Sequence, residues 1–198
     1  MKAKFIIFIV AMLLTHVTHA QAYHLALRLG YAQSHMRSSS EVEASLQSRN
    51  TFQVALVHTH KPYASKIGFS VETGYLLKGA RVDNESLDYR LHFLSIPVLF
   101  DMYPTKGLKL GIGPEVNFLL DGRNRANDGS SFTLQNTYTN RWELAGVINA
   151  SYAINFYADV GIRYGHGLNT LANRDVHLGR NRIRTSSLQF YLYIKVAN

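Results

Sequence analysis

Apolar and polar positions alternate along the chain with a repeat of two. Leu25, Leu27, Leu29 and Tyr31 share one parity, and His24, Ala26, Arg28 and Gly30 the other. That period predicts a strand with unlike faces. The pattern returns in Phe52, Val54 and Leu56, then in Ile67, Phe69, Val71 and Tyr75. It returns again in Leu94, Ile96, Val98 and Phe100, and in Leu108, Leu110, Ile112, Val116 and Phe118. Trp142, Leu144 and Ile148 carry a sixth strand, and Phe156, Val160, Ile162 and Tyr164 a seventh. Leu188, Phe190, Leu192, Ile194 and Val196 carry the eighth. Pro97 and Pro114 interrupt two of these runs, and because proline has no N–H to donate, each predicts a local defect in the ladder.

The connections add a second pattern. Long polar segments at 34–50, 79–88, 121–136 and 171–182 alternate with short ones at 61–66, 103–106 and 151–155. In an up-and-down meander every second connection falls at the same end. All long loops are therefore expected at one end, with the short turns and both termini at the other. This asymmetry is that of outer-membrane barrels. The fold expected is all-β: an eight-stranded antiparallel up-and-down transmembrane β-barrel.

A barrel whose apolar side faced a ligand would be the soluble alternative. The apolar parity here holds large side chains at nearly every site, more than a narrow eight-stranded lumen accommodates. The other parity is rich in Gly, Ala, Ser and charge. Its ionisable members are Arg28, Glu72, Asp101, Lys109, Glu115, Arg141, Glu143, Asp159, Arg163 and Lys195, with acids and bases in equal number. Buried ions need partners, so this balance predicts a luminal charge network. A proton or solute path is the functional alternative; side-chain filling is the expectation for a barrel of this size. Aromatic residues cluster at the strand ends, with Tyr23, Tyr103, Tyr152 and Phe156 at the short-turn side. Tyr31, Phe52, Tyr75, Trp142 and Tyr164 stand at the long-loop side. Such rings place an apolar body in lipid and a polar tip in water.

Residues 1–20 change the picture by setting the compartment. Lys2 and Lys4 precede the apolar run from Phe5 to Leu14, and Thr18-His19-Ala20 follows, the layout of a cleaved export signal. Cleavage after Ala20 or Ala22 leaves a barrel domain over 22–198. The 198 residues, 17% of them charged, suit one folded domain. With no cysteine, disulfides, Cys-ligated metals and thiol catalysis are excluded. The net charge of +8 belongs to rims and lumen instead of a single basic face, which argues against nucleic acid.

Three segments carry a family likeness. FSVETGYLLKGA (69–80), HFLSIPVLFDMY (92–103) and LKLGIGPEVNFLL (108–120) resemble the Bacteroidetes-type outer-membrane β-barrel family, the PorT-like or porin-family proteins. Ile96-Pro97 and Gly113-Pro114 are the more specific elements, and IRYGHGLNTL (162–171) is similar to the family's closing hairpin. The resemblance implies an eight-stranded barrel in the outer membrane and leaves activity open, secretion being the association of the family's name giver.

Candidate chemistry is sparse. His58 and His60 share one strand face, a spacing that chelates metals, but no third ligand stands near, so no metal or cofactor is expected. His166, Ser130, Ser131, His92 and Glu85 are the residues a lipid A-modifying enzyme would draw on, and nothing in their spacing makes them converge. Arg123, Arg125, Arg174, Arg180, Arg182 and Arg184 lie at the long-loop end. Guanidinium groups there suit lipopolysaccharide phosphates. The protein expected is therefore an integral outer-membrane barrel of structural, adhesive or assembly- and secretion-accessory type, without catalysis and with both termini periplasmic. Its partners would be outer-membrane lipid, lipopolysaccharide, the barrel-assembly machinery and a secretion or surface protein. A lipid A-modifying enzyme and a narrow porin are the alternatives.

Overall fold

The computed structural model describes residues 23–37, 46–62, 65–82, 87–125, 131–133, 141–171 and 184–197. The strands are β1 (Tyr23–Arg37), β2 (Leu46–His60), β3 (Ile67–Val82), β4 (Leu87–Met102), β5 (Leu108–Arg125), β6 (Ser131–Thr133), β7 (Trp142–Ala153), β8 (Ala158–Gly167) and β9 (Arg184–Ala197). They pair antiparallel in the order β4-β3-β2-β1-β9-β8-β7-β5-β6, and β4 pairs with β5 as well. That last pairing closes the sheet. The eight long strands form a closed antiparallel barrel, and β6 is a short addition beside the far end of β5.

The alternation sorts the side chains as the sequence predicts. Leu29, Tyr31, Phe52, Leu56, Phe69, Val98, Ile112, Ile148, Ile162, Phe190 and Leu192 are exposed on the outer wall, while Arg28, Gln53, Glu72, Asp101, Glu143, Arg163 and Gln189 are buried within. Polar groups inside and apolar groups outside invert the arrangement of a soluble barrel.

The strands outgrow the alternating runs. β1 to β5 have 15 to 18 residues each. A tilted transmembrane strand needs about 9–11, so these strands carry the ladder beyond the apolar band. Two expected loops change as a result. The segment 79–88, predicted as a long loop, is mostly paired strand: Gly79↔Arg90, Ala80↔Tyr89 and Val82↔Leu87 leave four residues, 83–86, between β3 and β4. The strict alternation of long and short connections therefore fails there. Its polar composition reflects strand outside the apolar band. Similarly, β5 continues through Asp121–Arg125 and then pairs with β6.

Both proline expectations hold. The β3–β4 ladder skips from Val71↔Val98 to Gly74↔Ser95 beside Pro97, and the β4–β5 ladder skips from Pro97↔Glu115 to Phe100↔Ile112 beside Pro114. At the second gap the chains come close: a Cβ on Gly113 would lie 1.9 Å from the carbonyl oxygen of Val98. Glycine alone fits that approach. The turn between β7 and β8 is fastened by Asn155, whose Oδ1 accepts the N–H groups of Tyr157 and Ala158 at 2.8 Å each.

Candidate functional site

Inside the barrel, a charged layer is built from strands on opposite walls. Glu72 on β3 is fully buried and receives Arg163 of β8 in a two-point contact, Nη1 to Oε2 at 2.9 Å and Nη2 to Oε1 at 2.5 Å. Arg28 of β1 reaches the same carboxylate at 2.9 Å, and the Tyr193 hydroxyl donates to Oε1 at 3.0 Å. Other guanidinium donors reach neutral partners, although Arg28 Nε has none among the described residues. Arg28 donates to Gln53 at 2.8 Å and to Gln189 at 3.1 Å, and Arg163 Nε donates to Asn149 at 3.3 Å. Tyr191 donates to the same Asn149 oxygen at 2.6 Å, while its ring lies 5.5 Å from the Arg28 guanidinium and 5.8 Å from that of Arg163. In the strand order, β3 and β8 stand four steps apart either way around the barrel, so the Glu72–Arg163 contact crosses the lumen. These side chains are buried and bonded to one another across the lumen.

Further layers flank this one. Toward the long-loop end, Lys78 Nζ meets Glu143 Oε2 at 2.9 Å and Thr185 Oγ1 at 3.2 Å, and Thr185 donates to the other oxygen of Glu143. Asn117 donates to Glu115 at 2.7 Å. Toward the short turns, Ser70 donates to Asp101, and Lys195 pairs with Asp159 at 2.7 Å near the mouth.

A second cluster faces outward at the long-loop end. Tyr75 Oη bonds His92 Nδ1, His92 sits opposite Asp121 in register, and Asp121 pairs with Arg123 at 2.7 Å. Arg90 stands directly opposite Arg123. Asp121, Arg123, Arg90 and Arg49 all lie within electrostatic reach of His92. A bulge delivers this set. The β4–β5 pairing passes from His92↔Asp121 to Phe93↔Leu119, so one extra residue, Leu120, flips the parity of β5 beyond it.

The family model for the outer membrane protein beta-barrel domain matches residues 19–173. The chain belongs to that family. No curated protein sequence matches it. Among solved structures, it is similar to Neisserial surface protein A, with a TM-score of 0.55 at 14% identity over 88% of this chain and 99% of that one. It is also similar to Ail, the attachment invasion locus protein of Yersinia pestis, solved in complex with the heparin analogue sucrose octasulfate. There the TM-score is 0.52 at 11% identity, over 88% of this chain and 99% of that one. At such identities the likeness concerns the fold. The protein is an outer-membrane β-barrel, and its exposed apolar wall is the lipid-facing surface.

This barrel gathers most of the expected luminal residues. Arg28, Glu72, Asp101, Lys109, Glu115, Glu143 and Arg163 are buried inside, and Asp159 and Lys195 stand part-exposed at the mouth. Arg141 does not join them. It stands just before β7 and is exposed, although its carbonyl still accepts the Leu119 N–H at 2.7 Å. Lys78 takes the place of a luminal base that the sequence reading missed; Leu76-Leu77 breaks the visible alternation just before it.

The outer residues divide similarly. Tyr31, Phe52, Trp142 and Tyr164 are exposed at the long-loop side, with Phe52 and Tyr75 in contact at 5.7 Å, and Tyr152 and Phe156 are exposed at the other. Tyr103 instead lines a cavity at the barrel mouth, under Lys61, whose Nζ is 4.5 Å from the ring centroid. Burial, with Asp101 and Asp159 nearby, pushes the Tyr103 phenol above its usual range, so the group under Lys61 is a neutral ring.

His92 and His166 both face outward, from β4 and β8, three strands apart around the wall, and do not meet. His60 stacks on Phe69 at 6.1 Å, and among the described residues no group of three or more acids and histidines could hold a metal. Arg184 is exposed at the start of β9. The export signal, Glu85, Ser130, Arg174, Arg180 and Arg182 lie outside the described residues, as do the side chains of Tyr23, Arg125 and Ser131.

Proposed function

We propose that this protein is a non-conducting, non-catalytic outer-membrane barrel of structural, adhesive or assembly- and secretion-accessory type. The observation that carries this reading is the Glu72–Arg28–Arg163 layer, buried and bonded from wall to wall. A solute path needs open cross-section, and this one is crossed by paired charges. The export signal over 1–20, periplasmic termini and insertion by the barrel-assembly machinery complete the reading, as does membership of the PorT-like branch suggested by Ile96-Pro97 and Gly113-Pro114.

Lipopolysaccharide is the partner that the outer wall favours. Arg90 and Arg123 stand opposite each other at the rim, and their guanidinium groups suit a phosphate that approaches from outside. Sulfated or phosphorylated surface glycans present the same chemistry, in keeping with the heparin analogue in the Ail structure.

Planar-bilayer recording of the refolded full chain tests the central reading. The expected trace has no stepwise current under either polarity. Reproducible steps that vanish on boiling the protein would overturn it in favour of a narrow porin.

A further inference from the structure

The barrel is crossed at its middle by the Glu72 layer but is hollow at its short-turn end. A cavity of about 690 Å³ opens there, bounded inward by Tyr193 and walled in part by Ala26, Val57 and Ala153. Its size is that of an ordinary ligand site, in the range of about 300–1,000 Å³.

The charges around it do not balance. Lys61, Lys109 and Lys195 line the cavity against one carboxylate, Asp159, and Lys195 occupies that carboxylate at 2.7 Å. Lys61 rests on the Tyr103 ring. Lys109 is the unusual member. It is 8% exposed, and among the described residues its ammonium makes no ion pair and no hydrogen bond. It lies over the face of Tyr193, 4.7 Å from the centroid. Asp101, Glu72 and Asp159 lie within electrostatic reach without contacting it; Ser70 donates to one Asp101 oxygen, and the other has no hydrogen-bond partner. Elsewhere in the lumen, Arg28, Lys78 and Arg163 each have a carboxylate in contact. A desolvated ammonium costs several kcal/mol unless an anion meets it. Lys109 therefore reads as a group with its partner missing, on the wall of a space that admits one.

We propose that this cavity binds a small organic anion, a carboxylate or phosphate monoester with a compact apolar body. Its charged group meets Lys109 in the field of Lys61 and Lys195, and its apolar part packs on Ala26, Val57 and Ala153. The inference requires neither conduction nor a particular orientation in the membrane, so it stands apart from the function proposed above.

The full chain, folded in phospholipid nanodiscs with ¹³C-methyl-labelled alanine and valine, is titrated with phenyl phosphate. Hexanoate, inorganic phosphate and benzyl alcohol are run as separate arms. Phenyl phosphate or hexanoate is expected to shift the methyls of Ala26, Val57 and Ala153 saturably and to leave Ala145 and Val147, beyond the Glu72 layer, in place. Inorganic phosphate and benzyl alcohol, each lacking half of the recognised chemistry, are expected to bind at least tenfold more weakly. Lys109→Met should weaken the organic anion at least tenfold, and Lys61→Gln, at the mouth, severalfold. Should the first variant not fold, the second decides. Absence of saturable shifts at the three methyls, equal binding of benzyl alcohol or inorganic phosphate, or unchanged affinity in both variants overturns the assignment.

Discussion

Replacing Glu72 by Gln isolates the charge that holds the lumen together. The change keeps shape and one carbonyl acceptor but removes the anion shared by Arg28 at 2.9 Å and Arg163 at 2.5 Å. A charge pair about 4 Å apart is worth roughly 4 kcal/mol at an effective dielectric near 20. Two such pairs disappear together, and two guanidinium groups are left facing each other beside Tyr191. Bonds to Gln53, Gln189 and Asn149 remain and offset part of this. The net loss expected is about 3–5 kcal/mol, as for other buried pairs broken on one side. Reversible urea unfolding in lipid vesicles measures it, followed by the fluorescence of the single tryptophan, Trp142, on the outer wall. Adding Arg163→Gln to Glu72→Gln removes one stranded cation and should recover part of the loss. A Glu72→Gln protein within about 1 kcal/mol of the parent would refute the view that this carboxylate organises the lumen, since buried cations cannot lose their counter-ion so cheaply.

Ile148, 54% exposed on the outer wall of β7, should tolerate alanine but not arginine. Ile148→Arg is expected to cost about 2–4 kcal/mol in the same vesicle assay if it lies near the bilayer midplane, and no loss would contradict the lipid-facing assignment. Gly113→Ala drives a methyl toward the Val98 carbonyl and should lower stability by about 1–3 kcal/mol. Unchanged urea midpoints would show that the β4–β5 gap yields freely. Arg90→Ala with Arg123→Ala should reduce binding to lipopolysaccharide-containing vesicles severalfold at low salt while leaving binding to phosphatidylcholine vesicles unchanged. Equal binding of parent and variant would remove the rim arginines from that role.

The barrel wall was legible because one physical rule governs it: a period of two with a fixed face, legible wherever the run is unbroken. Arg28 between Leu27 and Leu29, or Arg163 between Ile162 and Tyr164, can only point inward if their neighbours point out. The rule fails where the sequence hides a change of phase or an end. Leu76-Leu77 masks the continuing parity that carries Lys78 to Glu143, and Phe118-Leu119-Leu120 masks the bulge that turns Asp121 and Arg123 outward. Arg141 has the parity of the lumen but stands one residue before its strand begins, at the open end of the barrel, and is exposed. Which acid meets which base was beyond reach of any local pattern, because Glu72 and Arg163 are 91 residues apart and meet through closure of the sheet.

That closure also explains why the two ends of the lumen differ. The middle layer draws on β1, β3, β8 and β9, whose large side chains converge from opposite walls and pair there. Toward the short turns Ala26, Val57 and Ala153 leave room on the wall, and the long side chains that border the space are Tyr103, Tyr193 and three lysines. Small residues at that level leave a space of about 690 Å³ open instead of packing it shut. An eight-stranded barrel needing only a plug has no use for a buried ammonium next to an unfilled space. The placement of Lys109 therefore calls for an anion from outside the wall, and the methyl titration asks whether one enters.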